Sequence, residues 1–116
     1  MIRMGVIGCG HWGPNIIRNF VQIPHVEMQK VADLNVEQLN HIKSLYPTVE
    51  VTTDYKEIIA GPEIDAVAIA TPVNTHKSFA VEALKNGKHV FVEKPMAGSI
   101  ADADTMVETA AKNNLQ

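Results

Sequence analysis

The sequence predicts an α/β fold, a doubly wound parallel sheet, because strand-like and helix-like patterns alternate from one end of the chain to the other. Two stretches make the prediction specific. The apolar run Ile2 to Ile7 leads into Gly8, Gly10 and Gly13, and a helical pattern follows at once. The nearly continuous run Ala66-Val67-Ala68-Ile69-Ala70 has the character of a strand covered on both faces, as at the centre of a parallel sheet.

After the opening strand, Ile16, Ile17, Phe20, Val21 and Ile23 recur at helical spacing, which predicts a helix over residues 14 to 23 with this face on the sheet. Pro14 suits its first turn and Pro24 stops it. A second strand, Val26 to Ala32, delivers Asp33 at its C-terminal end. Asn35 and Gln38 stand in capping-box positions for a second helix, whose predicted buried face is Val36, Leu39, Ile42 and Leu45.

Pro47 closes that segment. Val49 to Thr52 is a short third strand, and Asp54 can cap a brief helix through Ile59 before the Gly61-Pro62 turn. Ile64 to Ala70 is the fourth strand, and Thr71 to Thr75 the loop after it. Phe79, Ala80, Ala83 and Leu84 mark a helix ending at Gly87, a suitable left-handed cap. Val90 to Val92 is a fifth strand, followed by Glu93-Lys94-Pro95. Ser99 and Asp102 open a last helix with Ile100, Ala103, Met106, Val107 and Ala110 as its apolar positions. Right-handed crossovers give the expected strand order 3-2-1-4-5.

Composition limits the function classes. The 116 residues suffice for one domain with a real core but are few for a complete cofactor-dependent enzyme. A net charge of −3 leaves no electrostatic footprint for nucleic acid or an anionic membrane. Cys9 is the only cysteine, so an intrachain disulfide and a four-thiolate zinc site are both excluded. With no signal-peptide core and no membrane-length apolar run, the chain reads as cytoplasmic. The five histidines, His11, His25, His41, His76 and His89, lack the spacing and companions of a metal site.

The order 3-2-1-4-5 reverses direction between the first and fourth strands, and ligands bind in such a crevice outside the C-terminal strand ends. Four segments follow strand ends on that edge: the glycine turn, Asp33, the Thr71-Pro72 loop and Glu93-Lys94-Pro95. In a dinucleotide-binding turn Gly8 permits the tight turn, Gly10 lets backbone approach a pyrophosphate and Gly13 lets helix and strand pack closely. Each glycine is equally at home in a turn that binds nothing, and the convergence of four segments favours the ligand. Asp33 lies 20 residues beyond Gly13, near the offset of the acidic residue that takes ribose hydroxyls. A carboxylate there repels a 2′-phosphate, so NAD is expected over NADP. Leu34 follows it at the same strand end, and no basic residue occupies positions 34 to 37.

Lys94 is the candidate catalytic group, since an ammonium near a nicotinamide can hydrogen-bond a substrate hydroxyl and stabilise developing alkoxide charge. Its alternative is a solvated lysine in a turn. Glu93 either pairs with Lys94 or hydrogen-bonds the cofactor. His76 either touches ligand or orders the Thr71 loop; Trp12, beside His11 in the glycine turn, either covers the pyrophosphate or packs on another domain. Cys9 fits a tight loop by its small size.

Together, Gly8-Cys9-Gly10-His11-Trp12-Gly13, Ala32-Asp33, Ala70-Thr71-Pro72 through His76, and Gly87-Lys88-His89-Val90 through Glu93-Lys94-Pro95 resemble the Gfo/Idh/MocA oxidoreductases over essentially the whole chain. The resemblance implies an NAD(P)-dependent enzyme that moves hydride between nicotinamide and a secondary alcohol of a sugar, cyclitol or nucleotide sugar. It implies Lys94 as the catalytic lysine. The cofactor set is Gly8, Gly10, His11, Trp12, Gly13, Asp33, Leu34, Thr71, Pro72, His76 and Glu93. The start Gly-Cys-Gly-His-Trp-Gly-Pro-Asn with Arg18-Asn19-Phe20 is most similar to nucleotide-sugar 3-dehydrogenases within the family.

Members of that family continue into a larger C-terminal α/β domain that supplies most substrate contacts and the homo-oligomer interface. This chain stops after the helix beginning near Ser99, before the sixth strand expected of the dinucleotide-binding half. The expectation is therefore one dinucleotide-binding domain, residues 1–116, forming the N-terminal fragment of a two-domain oxidoreductase and turning over substrate poorly alone. The competing expectation is a noncatalytic module that senses a dinucleotide or serves as an interaction domain.

Overall fold

Five strands, β1 (Ile2–Ile7), β2 (Val26–Ala32), β3 (Glu50–Thr52), β4 (Ala66–Ile69) and β5 (His89–Val92), form one parallel sheet in the order β3-β2-β1-β4-β5, as the sequence predicts. The structure, a computed structural model, describes residues 1–116. Its helices are α1 (Gly13–Val21), α2 (Val36–Leu45), α3 (Lys56–Ile59), α4 (His76–Lys85) and α5 (Ile100–Lys112), with one 3-10 turn at Val73–Thr75 inside the predicted loop.

Side-chain alternation divides the core into two layers. On one face Met4, Val6, Met28, Val31 and Ala68 meet Ile16 and Ile17 of α1 and Leu39 and Ile42 of α2. On the other, Ile7, Ala32, Val67 and Ile69 meet Ile58 and Ile59 of α3, Ala80 and Ala83 of α4 and Met106 of α5. Met28 and Val31 are three apart yet share a face, because the register with β1 shifts between Met4 and Gly5 and bypasses Gln29. Lys30 is thereby directed to Glu50, Glu57 and Glu63, at 3.4, 3.5 and 3.8 Å. Each fully buried Ile or Val contributes roughly 1.5–3 kcal/mol.

The helix termini follow the chemistry expected of them. Asn35 accepts from the N–H groups of Glu37 and Gln38, and Ser99 from that of Asp102. Gly87, at φ +80°, ends α4, with Gly87 N donating to Leu84 O and Lys88 N to Ala83 O. After α5 the chain turns back beside β5, where Val90 N donates to Gln116 O at 3.1 Å.

Several predicted apolar positions are corrected. Val21, Ile23, Val36, Leu45, Ile100 and Val107 are exposed. Val21 and Leu45 lie at the C-terminal ends of α1 and α2 and flank an open hollow of about 420 Å³ with Val26 and Val49. Helix α5 packs mainly on α4 at the side of the sheet, so only Met106 is fully buried. Element ends also move: α1 stops at Val21, two residues before the predicted end, and Val49 leaves β3 to fill the core.

Candidate functional site

An open cleft of about 820 Å³ runs along the C-terminal ends of the strands, lined by Gly8, Gly10, His11, Asp33, Leu34, Thr53, Tyr55, Ala70, Thr71, Pro72, Asn74, Thr75 and Phe79 among others. Its size falls within the usual range of small-molecule sites.

The glycine turn is built by three different constraints. Gly8 has φ +98°, and a Cβ there would lie 2.9 Å from the Ala70 carbonyl and Thr71 Cγ2. At Gly13 a Cβ would overlap the Gly8 carbonyl oxygen. Protein packing therefore demands glycine at both. Around Gly10 a Cβ would meet nothing within 4 Å, and the residue lines the cleft. No protein atom explains its lack of a side chain.

The backbone N–H groups of Gly10, His11 and Trp12 have no acceptor within the chain, and α1 begins without a side-chain cap or an acidic residue in its first turn. Pro14 lies in that first turn and has no N–H to satisfy. The nine-residue helix thus presents its positive end and free donors toward the cleft, an arrangement that can hold an anion.

Asp33 ties this turn to the end of β2. Its Oδ2 accepts from Cys9 N at 2.8 Å and its Oδ1 from Asn35 N at 2.8 Å. Each oxygen retains a second lone pair, so the carboxylate can still accept from ribose hydroxyls. Cys9 is fully buried, and burial, with the Asp33 charge second, pushes its thiol up to about 12. A thiol so protonated is no nucleophile.

On the far wall, the Thr71 and Thr75 hydroxyls lie 2.6 Å apart, and Thr75 Oγ1 donates to Pro72 O. The Tyr55 and Phe79 rings pack at 4.6 Å between centroids, making an apolar end. Sequence reasoning missed Thr53, Tyr55, Asn74, Thr75 and Phe79. The available signal was topological, since the segment after β3 must emerge on the same edge as the other loops.

Not every predicted residue lines the cleft. Trp12 is exposed and edge-on to His11, with centroids 5.3 Å apart. Gly13 is buried beneath the turn. His76 is 2% exposed, with both ring nitrogens within 3.3 Å of backbone carbonyl oxygens, and it is not among the residues lining the cleft. Glu93 Oε1 accepts from Lys94 N at 3.1 Å, whereas no ion pair joins it to the Lys94 ammonium. Lys94 is exposed in the turn after β5 and, like Glu93, is not among the residues lining the cleft; its ammonium makes no hydrogen bond within the chain.

Comparison with known proteins agrees with this geometry. A family model described as "Oxidoreductase family, NAD-binding Rossmann fold" (Gfo/Idh/MocA) matches residues 2–116. A myo-inositol 2-dehydrogenase from Thermotoga maritima is 32% identical over 111 residues, covering 96% of this chain and 33% of that protein. The apo scyllo-inositol dehydrogenase from Lactobacillus casei superimposes with TM-score 0.90 at 30% identity, over 100% of this chain and 35% of that one. A 3-ketoreductase from Actinomadura kijaniata, solved with NADP and TDP-benzene, gives TM-score 0.91 at 25% identity, over 98% of this chain and 35% of that one. The chain thus spans about a third of the length of these relatives.

Proposed function

The chain belongs to the Gfo/Idh/MocA oxidoreductase family as its NAD-binding Rossmann domain, and from that premise we propose that it serves a dehydrogenase acting on a secondary alcohol of a cyclitol, sugar or nucleotide sugar. The dinucleotide lies along the strand-end cleft. Gly10 carries the reading: a bare, unhindered backbone position beside three free N–H groups is what a pyrophosphate requires and what packing alone leaves without a reason.

In this reading the N–H groups of Gly10, His11 and Trp12 receive the pyrophosphate, while Gly8 and Gly13 fix the turn. Asp33 accepts from the ribose hydroxyls and Leu34 covers the adenosine end. Asp33 also makes NAD the preferred form, because a second negative charge at the ribose would face its carboxylate. Thr71, Pro72 and Glu93 border the nicotinamide end. When bound, the nicotinamide supplies the hydride acceptor or donor. Lys94 then hydrogen-bonds the reacting hydroxyl and stabilises charge on its oxygen.

We further propose that residues 1–116 are the dinucleotide-binding unit of a two-domain oxidoreductase whose second domain supplies most substrate contacts and an oligomer interface, a reading supported by the threefold greater length of the relatives. The inositol dehydrogenases favour a cyclitol, and the ketoreductase together with the residues around Gly8 to Phe20 favours a nucleotide sugar. A substrate panel on the full-length enzyme separates them.

Calorimetric titration of the chain with NADH tests the core of the proposal. Saturable binding is expected, stronger than that of NADPH and weakened about tenfold or more in Asp33→Ala. A folded wild-type sample that takes up no NADH would sink it.

A further inference from the structure

His76 sits at the first position of α4, buried, with its polar partners in the loops that follow β4 and β5. Its Nε2 is 2.8 Å from Thr71 O, in the loop after β4. Its Nδ1 is 3.0 Å from Pro95 O and 3.3 Å from Met96 O, in the turn after β5. The ring therefore lies between the two loops, and through Nδ1–H it can tie the second of them to the start of α4.

The turn has little else to hold it. Glu93 N is anchored to Ile69 O at 3.0 Å, and Ser99 is fixed as the cap of α5. Between them, Lys94 to Gly98 make no hydrogen bond to any other segment except those at His76. Ala97 adds one apolar contact with the second core layer. The Lys94 side chain has no partner of its own, so the direction in which it leaves the backbone is set by how this turn is held.

We infer that His76 is a positioning residue for Lys94, acting by donation from its Nδ1–H to the carbonyls of Pro95 and Met96. All its partners are acceptors and a neutral imidazole carries one N–H, so the tautomer that donates from Nδ1 serves the turn and leaves Nε2 beside Thr71 O without a hydrogen bond. The two nitrogens are thus not equivalent in function: Nδ1 donates to the turn that bears Lys94, whereas Nε2 only packs against Thr71. This rests on the role proposed above for Lys94, while the tie itself is a property of the chain alone.

The non-equivalence makes the inference testable by isosteres. An asparagine carries its amide nitrogen near the place of Nδ1, and a glutamine near that of Nε2. His76→Asn, His76→Gln and His76→Ala are compared in the isotope-labelled 116-residue chain by backbone N–H residual dipolar couplings. In wild type, the couplings of Lys94, Met96, Ala97 and Gly98 should fit the same alignment as the sheet. In His76→Ala and His76→Gln, those four should shrink by about twofold or more while the sheet couplings stay unchanged. His76→Asn should keep them.

Wild-type couplings at these four residues in His76→Ala would overturn the inference. So would equal behaviour of the Asn and Gln variants, which any role confined to filling the core predicts. Should the Ala variant fail to fold, the Asn and Gln pair decides alone. If wild type binds no NADH, the cofactor reading fails separately, and the couplings still judge the tie.

Discussion

Replacing Gly10 by alanine should separate stability from binding. The added Cβ meets no atom within 4 Å, and the residue has no left-handed φ to forbid it. Folding should therefore be unharmed, with a gain of up to about 0.4–1 kcal/mol from the reduced freedom of the unfolded chain. The methyl group instead enters the space where the proposed pyrophosphate lies against the backbone. Forcing a methyl into a close-packed contact costs roughly 1–3 kcal/mol, which corresponds to an NADH affinity lowered about 5- to 150-fold. Gly8→Ala should behave in the opposite sense. Its Cβ would crowd the Ala70 backbone at 2.9 Å and sit at φ +98°, so the loss of stability should be about 2–5 kcal/mol. Urea denaturation gives the first quantity and NADH fluorescence titration the second. A Gly10→Ala chain that binds NADH like wild type would refute the reasoning, and so would one that loses stability along with binding.

Three further outcomes follow from the same geometry. In the two-domain oxidoreductase proposed above, Lys94→Ala should lower kcat by about 10²- to 10⁴-fold while the Kd for NAD stays within about twofold; equal turnover would remove Lys94 from the chemistry. With its thiol held at about 12 by burial and the Asp33 carboxylate, native Cys9 should react with Ellman's reagent at pH 8 more than about a hundredfold slower than in urea. Prompt labelling of the folded chain would contradict that environment. The Arg3 guanidinium, bonding Asp65 at 3.0 and 3.1 Å, holds that carboxyl near 2, below its ordinary 3.8. The native state therefore binds this proton less readily than the unfolded chain, so the stabilisation is complete above about pH 4 and is lost as pH falls toward 2. Asp65→Asn should be less stable at pH 7 and flatter across that window in urea midpoints; an unchanged slope would exclude the pair as its source.

Much of this was legible because local chemistry and global topology agree. Continuous apolar strands, Asn35 and Ser99 at helix starts and Gly87 at a helix end each state their own conformation, and alternation of the elements then fixes the strand order. The residues that misled are apolar ones at helix ends. Val21, Leu45 and Ile100 keep the helical period but extend past the sheet, and periodicity reports a face, not what lies opposite it. Lys88 illustrates the reverse case. It is 7% exposed, with Nζ donating to Gly61 O and Ile64 O, partners 27 and 24 residues earlier that no local pattern reveals. The same holds in the cleft. The glycine turn and Asp33 carry a spacing that sequence can read, whereas Tyr55 and Phe79 form its apolar end through tertiary packing. His76 belongs to both classes: its nearness to the cleft followed from its place after Thr71, but its attachment to Pro95 and Met96 required the fold.

The central claim is that the strand-end cleft holds a dinucleotide with its pyrophosphate on the glycine turn. Backbone amide shifts of the labelled chain during NADH titration test it most directly. The account predicts saturable changes largest at Gly10, His11, Trp12 and Leu34, with the residues around Leu45 to Val49 at the opposite end unmoved. Saturable binding centred on that opposite hollow, or no saturable change at the glycine turn, would contradict it.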